Sequence, residues 1–316
     1  MKTAFYCVAD ARYFLGAVGT INSLRIVGHT EPVVLLDCGL TAAQRDLLAP
    51  HATLVDAPVD SPPTLLKTIA PRERPAETMV LIDTDMIVTR SLDAIVDEAA
   101  RGRVVAFRND MDRHVAEWGE ALGLGRLPRR PYLAFALVCM DRGLAQPVLG
   151  RVAELQGRID IDRTMWGRDE PGYPLRYADQ DVLNAVLADE VDGELVTAHD
   201  ARLTPVPPFP GVELRDAATL RCAYADGTEP YALHHFIVKP WLERTHHGIY
   251  SRLLHRCLAG PDLAIRVPAE MVPLRFRRGP LAYLERKRVN AGQRLRWHVR
   301  EPLAARLRGP GRESGG

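Results

Sequence analysis

The chain has 316 residues, of which 47% are hydrophobic and 26% charged, a composition ordinary for a globular protein and long enough for one large domain or two modest ones. Its formal net charge of +1 gives no global field that would draw it to nucleic acid. No stretch reaches the ~18 apolar residues of a membrane-spanning helix, and the apolar run Ala4-Phe5-Tyr6-Cys7-Val8 is too short for a secretion signal.

The first 110 residues alternate strand and helix signals. Ala4 to Ala9 reads as a buried strand. Helical spacing follows from Tyr13 to Val27, through Phe14, Ala17, Val18, Ile21, Leu24 and Ile26, and Gly28 stops it. Pro32 to Leu36 is the next strand, and Thr41 with Gln44 forms a capping box for a helix through Leu48. Leu54-Val55 is a third strand. The proline-rich stretch from Asp56 to Pro75 reads as a loop with a short helix around Leu65 to Ile69. Met79 to Ile82, a helix from Leu92 to Ala100 capped by Ser91, and a strand from Val104 to Phe107 complete this half. The alternation predicts an α/β fold, a mostly parallel sheet covered by helices on both faces. Ligands of such sheets bind at the carboxyl ends of the strands.

The second half is less regular. Tyr132 to Met140 reads as a strand, and Leu144 to Leu155 and Asp181 to Leu187 as helices. Tyr231 to Val238 is a late strand and Trp241 to Leu258 a helix. We expect a catalytic domain over 1–258 and a basic extension over 259–316, its last residues disordered. From Arg266 onward the chain carries 13 Lys/Arg against 4 acids. Leu281, Tyr283, Leu284, Leu295, Trp297, Val299, Leu303 and Leu307 lie among those cations, a composition suited to an anionic membrane face. Against a continuous helix stand Asn290-Ala291-Gly292 and Pro302, which interrupt the pattern. The five cysteines, Cys7, Cys38, Cys139, Cys222 and Cys257, show no Cys-x-x-Cys spacing, which argues against a zinc or redox motif. A reducing, cytoplasmic setting is the expectation, with peripheral contact at the inner membrane face through the tail.

Four segments carry the chemistry. In Leu81-Ile82-Asp83-Thr84-Asp85-Met86-Ile87-Val88, two carboxylates lie between apolar runs. The spacing is not distinctive, since Asp110/Asp112, Asp160/Asp162 and Asp179/Asp181 share it. The placement is, because buried carboxylates need a compensating cation or donors, and a divalent metal that also neutralises a diphosphate supplies that compensation. In Leu233-His234-His235-Phe236-Ile237-Val238-Lys239-Pro240-Trp241, a histidine could add a nitrogen ligand and Lys239 could meet a phosphate. Adjacent strand residues face opposite ways, so one of His234 and His235 at most is a ligand. In Tyr177-Ala178-Asp179-Gln180-Asp181-Val182-Leu183-Asn184, Asp179 could cap a helix, and its neighbours could face a sugar. In Val8-Ala9-Asp10-Ala11-Arg12-Tyr13, Asp10 could accept a hydrogen bond from a base or ribose and Tyr13 could stack.

In chain order, from the Asp10 segment through Asp83/Asp85 and Asp179-Gln180 to His234…Lys239-Pro240-Trp241, the four segments, with Ser23-Leu24 and the turn Leu36-Asp37-Cys38-Gly39-Leu40, resemble the family 8 glycosyltransferases over roughly residues 4 to 256. The resemblance implies an A-type glycosyltransferase fold, a manganese or magnesium ion, a UDP-sugar donor and retention of anomeric configuration. By the same resemblance Asp83 and Asp85 ligate the metal, joined by His234 or His235, and Lys239 touches the diphosphate. Ala9, Asp10 and Tyr13 line the nucleotide pocket, and Asp179 and Gln180 face the transferred sugar. Lys67, in Leu65-Leu66-Lys67, corresponds to a basic residue near the donor. The sequence departs from the family in two places. The histidine-to-lysine spacing is five from His234 and four from His235 where six is usual. The segment Tyr132-Leu133-Ala134-Phe135-Ala136-Leu137 has no polar side chain to hold a sugar hydroxyl except the tyrosine at its start. The acceptor is then a glycan, a lipid-linked sugar or a small molecule. Two other readings compete: a phosphohydrolase with Asp83 as aspartyl nucleophile, and a non-catalytic nucleotide-sugar binding protein.

Overall fold

The computed structural model describes residues 1–58, 62–236, 239–242 and 248–295. In chain order the main elements are β1 (Thr3–Ala9), α1 (Phe14–Ile26), β2 (Val33–Asp37), α2 (Ala42–Leu48), β3 (Thr53–Asp56), α3 (Ile69–Glu73), β4 (Thr78–Ile82), β5 (Met86–Val88), α4 (Asp93–Ala99) and β6 (Val104–Arg108). There follow α5 (Trp118–Leu122), β7 (Leu133–Asp141), α6 (Arg142–Gln156), α7 (Asp179–Glu190), β8 (Val196–His199), β9 (Glu213–Asp216), β10 (Arg221–Ala223), β11 (Ala232–His234), α8 (Gly248–Ala259) and α9 (Pro280–Leu295). Seven strands form one sheet in the order β3-β2-β1-β4-β7-β6-β8. Its ladders are parallel except at β7, which runs antiparallel to both β4 and β6.

Strands buried on both faces need near-continuous apolar sequence, and β1, β2 and β4 supply it. Phe5 and Cys7 of β1 enter one core with α1 and α8, while Ala4 and Tyr6 enter the other with α6 and α7. This is the two-residue alternation of a strand dividing two layers. α1 is buried from Phe14 to Leu24, so its polar residues must find partners inside. Thr20 donates to the Met86 carbonyl at 2.8 Å, and Ser23 Oγ accepts from Val88 N–H at 3.0 Å. The Asn22 amide bonds the carbonyls of Cys257 and Ile265 and the N–H of Ile265. One helix thus anchors both β5 and the chain beyond α8.

Most of the expected elements are present among the described residues, with boundaries moved where local chemistry intervenes. The capping box of Thr41 and Gln44 forms as expected. The helix expected at Leu65 to Ile69 is instead a single 3-10 turn, Pro63–Leu65, followed by the separate α3. Pro71 lacks the N–H that would bond the Lys67 carbonyl in a continuous helix. Ser91 is not the N-cap of α4: that position is Leu92, whose N–H is held by His29 Nε2 at 2.8 Å, while Ser91 Oγ accepts from Asp93 N–H. The late strand expected to Val238 is the short β11, ending at His234. It pairs antiparallel with β5, and the next N–H, of His235, bonds the Asp85 carbonyl. Residues 237 and 238, and 243–247 of the helix expected from Trp241, lie outside the described residues; α8 is described from Gly248, and Trp241 lies in a turn. α9 continues through Asn290-Ala291-Gly292, contrary to expectation. Asn and Gly cost about 1 kcal/mol or less each in a helix, and burial of Ala282 and Val289 offsets it. The tail residues Trp297, Val299, Pro302, Leu303 and Leu307 lie outside the described residues.

Gly16 shows how tightly α1 meets the turn after β4. A Cβ there would lie 2.3 Å from the Thr84 carbonyl oxygen and 2.8 Å from the Trp241 ring. Gly16→Ala should cost ~1–3 kcal/mol. Gly150→Ala, at an open position within α6, should instead gain ~0.5–1 kcal/mol. Urea unfolding of both variants checks the contrast.

Candidate active site

The turn Asp83-Thr84-Asp85 follows β4 at its carboxyl end, beside the carboxyl end of β1. It is fixed from several sides. Asp83 N–H bonds the Ala136 carbonyl at 2.8 Å, Thr84 Oγ1 donates to the Val8 carbonyl at 3.1 Å, and Tyr250 OH donates to the Asp85 carbonyl at 2.9 Å. The β5–β11 register sets His234 opposite Met86, one residue beyond Asp85. His234 Nε2 consequently lies 3.2 Å from Asp85 Oδ1 and 4.0 Å from Asp83 Oδ2.

Of the two histidines, His234 is the one beside the acidic turn. Asp83, Asp85 and His234 each bring a ligand atom within 4.8 Å of the others. His235 points away and packs edge-on against Tyr250, ring centroids 4.8 Å apart. Burial, with the nearby Lys239 charge, pushes His235 down to about 4, so its ring is neutral at physiological pH. Lys239 is buried and pairs with Asp85 Oδ2, donating also to the His235 carbonyl at 2.7 Å.

Two further sequence-selected groups converge on the same turn. Lys67 Nζ lies 2.7 Å from Asp83 Oδ1 and 3.1 Å from Asp179 Oδ2. Asp179 does not cap α7: it is the first helical residue, preceded by Ala178 at φ 46°, and no side chain bonds the cap position. Its carboxylate faces Lys67 and accepts from Thr64 Oγ1 at 3.1 Å instead. Gln180 Oε1 accepts from Phe135 N–H at 3.2 Å, and the Asn184 amide bonds both the N–H and carbonyl of Leu133. These side chains satisfy the backbone of β7 where its register with β6 shifts.

Ala9 is buried, and Asp10 Oδ1 accepts from the N–H groups of Arg12 and Tyr13 at 2.9 Å each. That turn presents Tyr13 beside Trp241 and beneath Lys239, whose Nζ is 5.5 Å from the tyrosine ring centre. Trp241 Nε1 bonds the Arg12 carbonyl at 2.8 Å. Sequence reasoning missed Tyr250 as a support of this site, since nothing in its local pattern separates it from core residues, and it gave Trp241, the end of the His234 to Trp241 segment, no role of its own.

It also missed the pair that holds the start of α7. Asp181 is fully buried, bonded by Arg113 Nε at 2.9 Å, Tyr132 OH at 2.7 Å and Tyr177 N–H at 2.9 Å. Arg113 lies in a segment without helix or strand, so periodicity could not reveal it.

The electrostatics favour a cation at the turn. Burial raises Asp83, and Lys67 only partly counters it while Asp85 adds to the rise. Burial acts the same way on Asp85, but His234 and Lys239 outweigh it and hold its carboxyl well below the usual range. Burial and the Asp85 charge push Tyr13 up to about 12. Asp85 Oδ1 and His234 Nε2 are both buried and make no hydrogen bond, although such atoms are normally satisfied. Two carboxylates and one imidazole could together hold a divalent cation; Lys67 and Lys239 lie against the two carboxylates, and the Tyr250 hydroxyl holds the Asp85 carbonyl.

Removing one partner of the buried Arg113–Asp181 pair leaves a charge uncompensated, at a cost of ~3–5 kcal/mol. We expect Asp181→Ala to lose about that much, with Arg113→Ala and the double variant far from additive. Denaturant unfolding of the three variants measures it.

No protein-family model matches the sequence, and no curated protein matches it. Solved structures do match. An active-site glutamine-to-glutamate variant of LgtC is 16% identical with a TM-score of 0.56, over 84% of this chain and 98% of that one. The galactosyltransferase LgtC with donor and acceptor sugar analogues is 18% identical with a TM-score of 0.53, at the same coverage. The bifunctional glycosyltransferase WbbM is 13% identical with a TM-score of 0.56, over 83% of this chain and half of that one. The resemblance carried by the motifs is therefore borne out in three dimensions: the chain has the A-type glycosyltransferase fold, in the form seen in LgtC and WbbM.

Proposed function

We propose that the chain is a metal-dependent glycosyltransferase that moves a hexose from a UDP-sugar to an acceptor hydroxyl with retention of configuration. The observation that carries this reading is the cluster Asp83, Asp85 and His234 at the carboxyl end of β4, where α/β sheets bind ligands, in a fold whose solved examples here are glycosyltransferases.

Asp83, Asp85 and His234 would hold Mn2+ or Mg2+, which supplies Lewis-acid charge to a leaving diphosphate. Lys239, already beside Asp85, is placed to add a point charge to that phosphate. Ala9, Asp10 and Tyr13 border the same end of β1 and form the nucleotide side of the pocket. Asp179 and Gln180 form the sugar side, their orientation fixed by Thr64 and Phe135. The site contributes chiefly positioning and fixed charge.

The acceptor is a glycan, a lipid-linked sugar or a small molecule. A peripheral membrane role is supported by α9, where Leu281, Tyr283 and Leu284 are exposed beside Lys287 and Arg288. No described helix is long and apolar enough to cross a membrane. The phosphohydrolase reading of Asp83 gains no support from the solved structures that match, which are glycosyltransferases.

Asp83→Ala and Asp85→Ala should each abolish sugar transfer while circular dichroism stays native-like. His234→Ala should weaken Mn2+ binding ~10–100-fold and His235→Phe should leave it nearly unchanged. Equal losses in the two histidine variants would contradict the ligand assignment. NMR of fresh product tests retention, and an inverted anomer would refute it.

A further inference from the structure

The two lysines of the site treat their carboxylates differently. Lys239 occupies one oxygen of Asp85 and leaves Oδ1 without a hydrogen bond, 3.2 Å from His234. Lys67 leaves no such opening on Asp83. Its Nζ lies 2.7 Å from Oδ1 and 3.0 Å from Oδ2 of Asp83, and it also reaches Asp179 Oδ2 at 3.1 Å and the Phe135 carbonyl at 2.9 Å. The contacts to Asp83 Oδ2 and the Phe135 carbonyl are hydrogen bonds and those to Asp83 Oδ1 and Asp179 Oδ2 are ion pairs, so both oxygens of Asp83 face this one ammonium.

We propose that Lys67 is a displaceable internal counterion: it competes with the divalent cation for Asp83 and, by remaining on Asp179, ties metal arrival to the position of that carboxylate. The inference rests on the metal reading above and adds a role for Lys67 distinct from touching the donor. Lys67 is kept in place by its surroundings. It follows the 3-10 turn of Pro63–Leu65, the Phe135 ring lies 5.0 Å from its Nζ, and Thr64 from the same turn bonds the other oxygen of Asp179. Asp83 and Asp179 both lie within contact of this one nitrogen. Without it two carboxylates would face each other in a poorly solvated site, and like charges so placed repel strongly.

A cation bound between Asp83, Asp85 and His234 takes over the neutralisation of Asp83. Lys67 then keeps its ion pair with Asp179 and its hydrogen bond to the Phe135 carbonyl, so the start of α7 stays held while the metal site fills. The exchange keeps affinity for bare metal modest, because each binding event must break an existing ion pair. It also explains why the metal-free chain tolerates three nearby carboxylates, Asp83, Asp85 and Asp179, with only two lysine partners.

The test uses the full chain with Mn2+ alone, counting free Mn2+ by electron paramagnetic resonance, for the natural protein, Lys67→Met and Lys67→Arg. Lys67→Met, which removes the competing cation, should bind Mn2+ roughly tenfold more tightly or better, and Lys67→Arg should stay near the natural value. Thermal unfolding gives a second readout. Lys67→Met should be less stable in chelator, and Mn2+ should raise its Tm by more than it raises that of the natural chain. Should the variant fail to fold without metal, recovery on adding Mn2+ supports the proposal and failure to recover overturns it. Unchanged or weaker Mn2+ binding by a folded Lys67→Met, with UDP binding lost, would make Lys67 an ordinary donor contact and overturn the counterion role alone. Absence of Mn2+ binding in the natural chain, with or without UDP, would remove the metal reading and this proposal together.

Discussion

Carboxylates held out of water between two apolar strands set the terms for the rest of this molecule. Asp85 and Asp179 are buried, and Asp83 is half-buried beside them. Even after relaxation, each desolvated ion costs several kcal/mol unless it is paired. The chain answers with Lys67 from one segment and with His234 and Lys239 from another. The backbone of the turn has its own support from Val8, Ala136 and Tyr250. So much structure around a short turn is hard to explain by stability alone, since an apolar turn would cost less. It is the arrangement expected where a binding site is assembled in advance.

The fold delivers these groups by simple topological means. A parallel sheet collects the ends of β1 and β4 on one edge, which places Asp10 and Tyr13 near Asp83. A small separate ladder, β5 with β11, then returns a distant segment to the same turn and fixes which histidine faces it. α1 lies under both through Thr20 and Ser23, and its closeness to the turn requires a residue without a Cβ at Gly16. Burial of α1 is thus coupled to the geometry of the acidic turn through contacts far from any solvent.

Much of this was legible in the sequence, for physical reasons that differ by segment. The strands of the first half announce themselves because burial on two faces demands continuous apolar runs. Asp83 and Asp85 stand out because they interrupt such runs. The period-two rule correctly allowed only one of His234 and His235 to face the site, but which one depends on the β5–β11 register, a long-range pairing no local pattern encodes. Asp179 was legible as a residue at a helix start and misread as its cap, because its partner Lys67 lies over a hundred residues away. Arg113 and Tyr132, which hold Asp181, were invisible for the same reason. The length of α9 was underestimated because burial of Ala282 and Val289 outweighs the weak helix propensity of Asn290 and Gly292.

The central claim is that the acidic turn binds a nucleotide diphosphate only through a divalent cation. Asp83, Asp85 and Asp179 gather three carboxylates at one place, and a diphosphate brought there without a cation meets like charge. Isothermal titration of UDP into the chelated protein and into the same protein with Mn2+ measures this directly. The account predicts no detectable binding in chelator and saturable binding with Mn2+. Equal affinity in both conditions, or no binding in either, would contradict it.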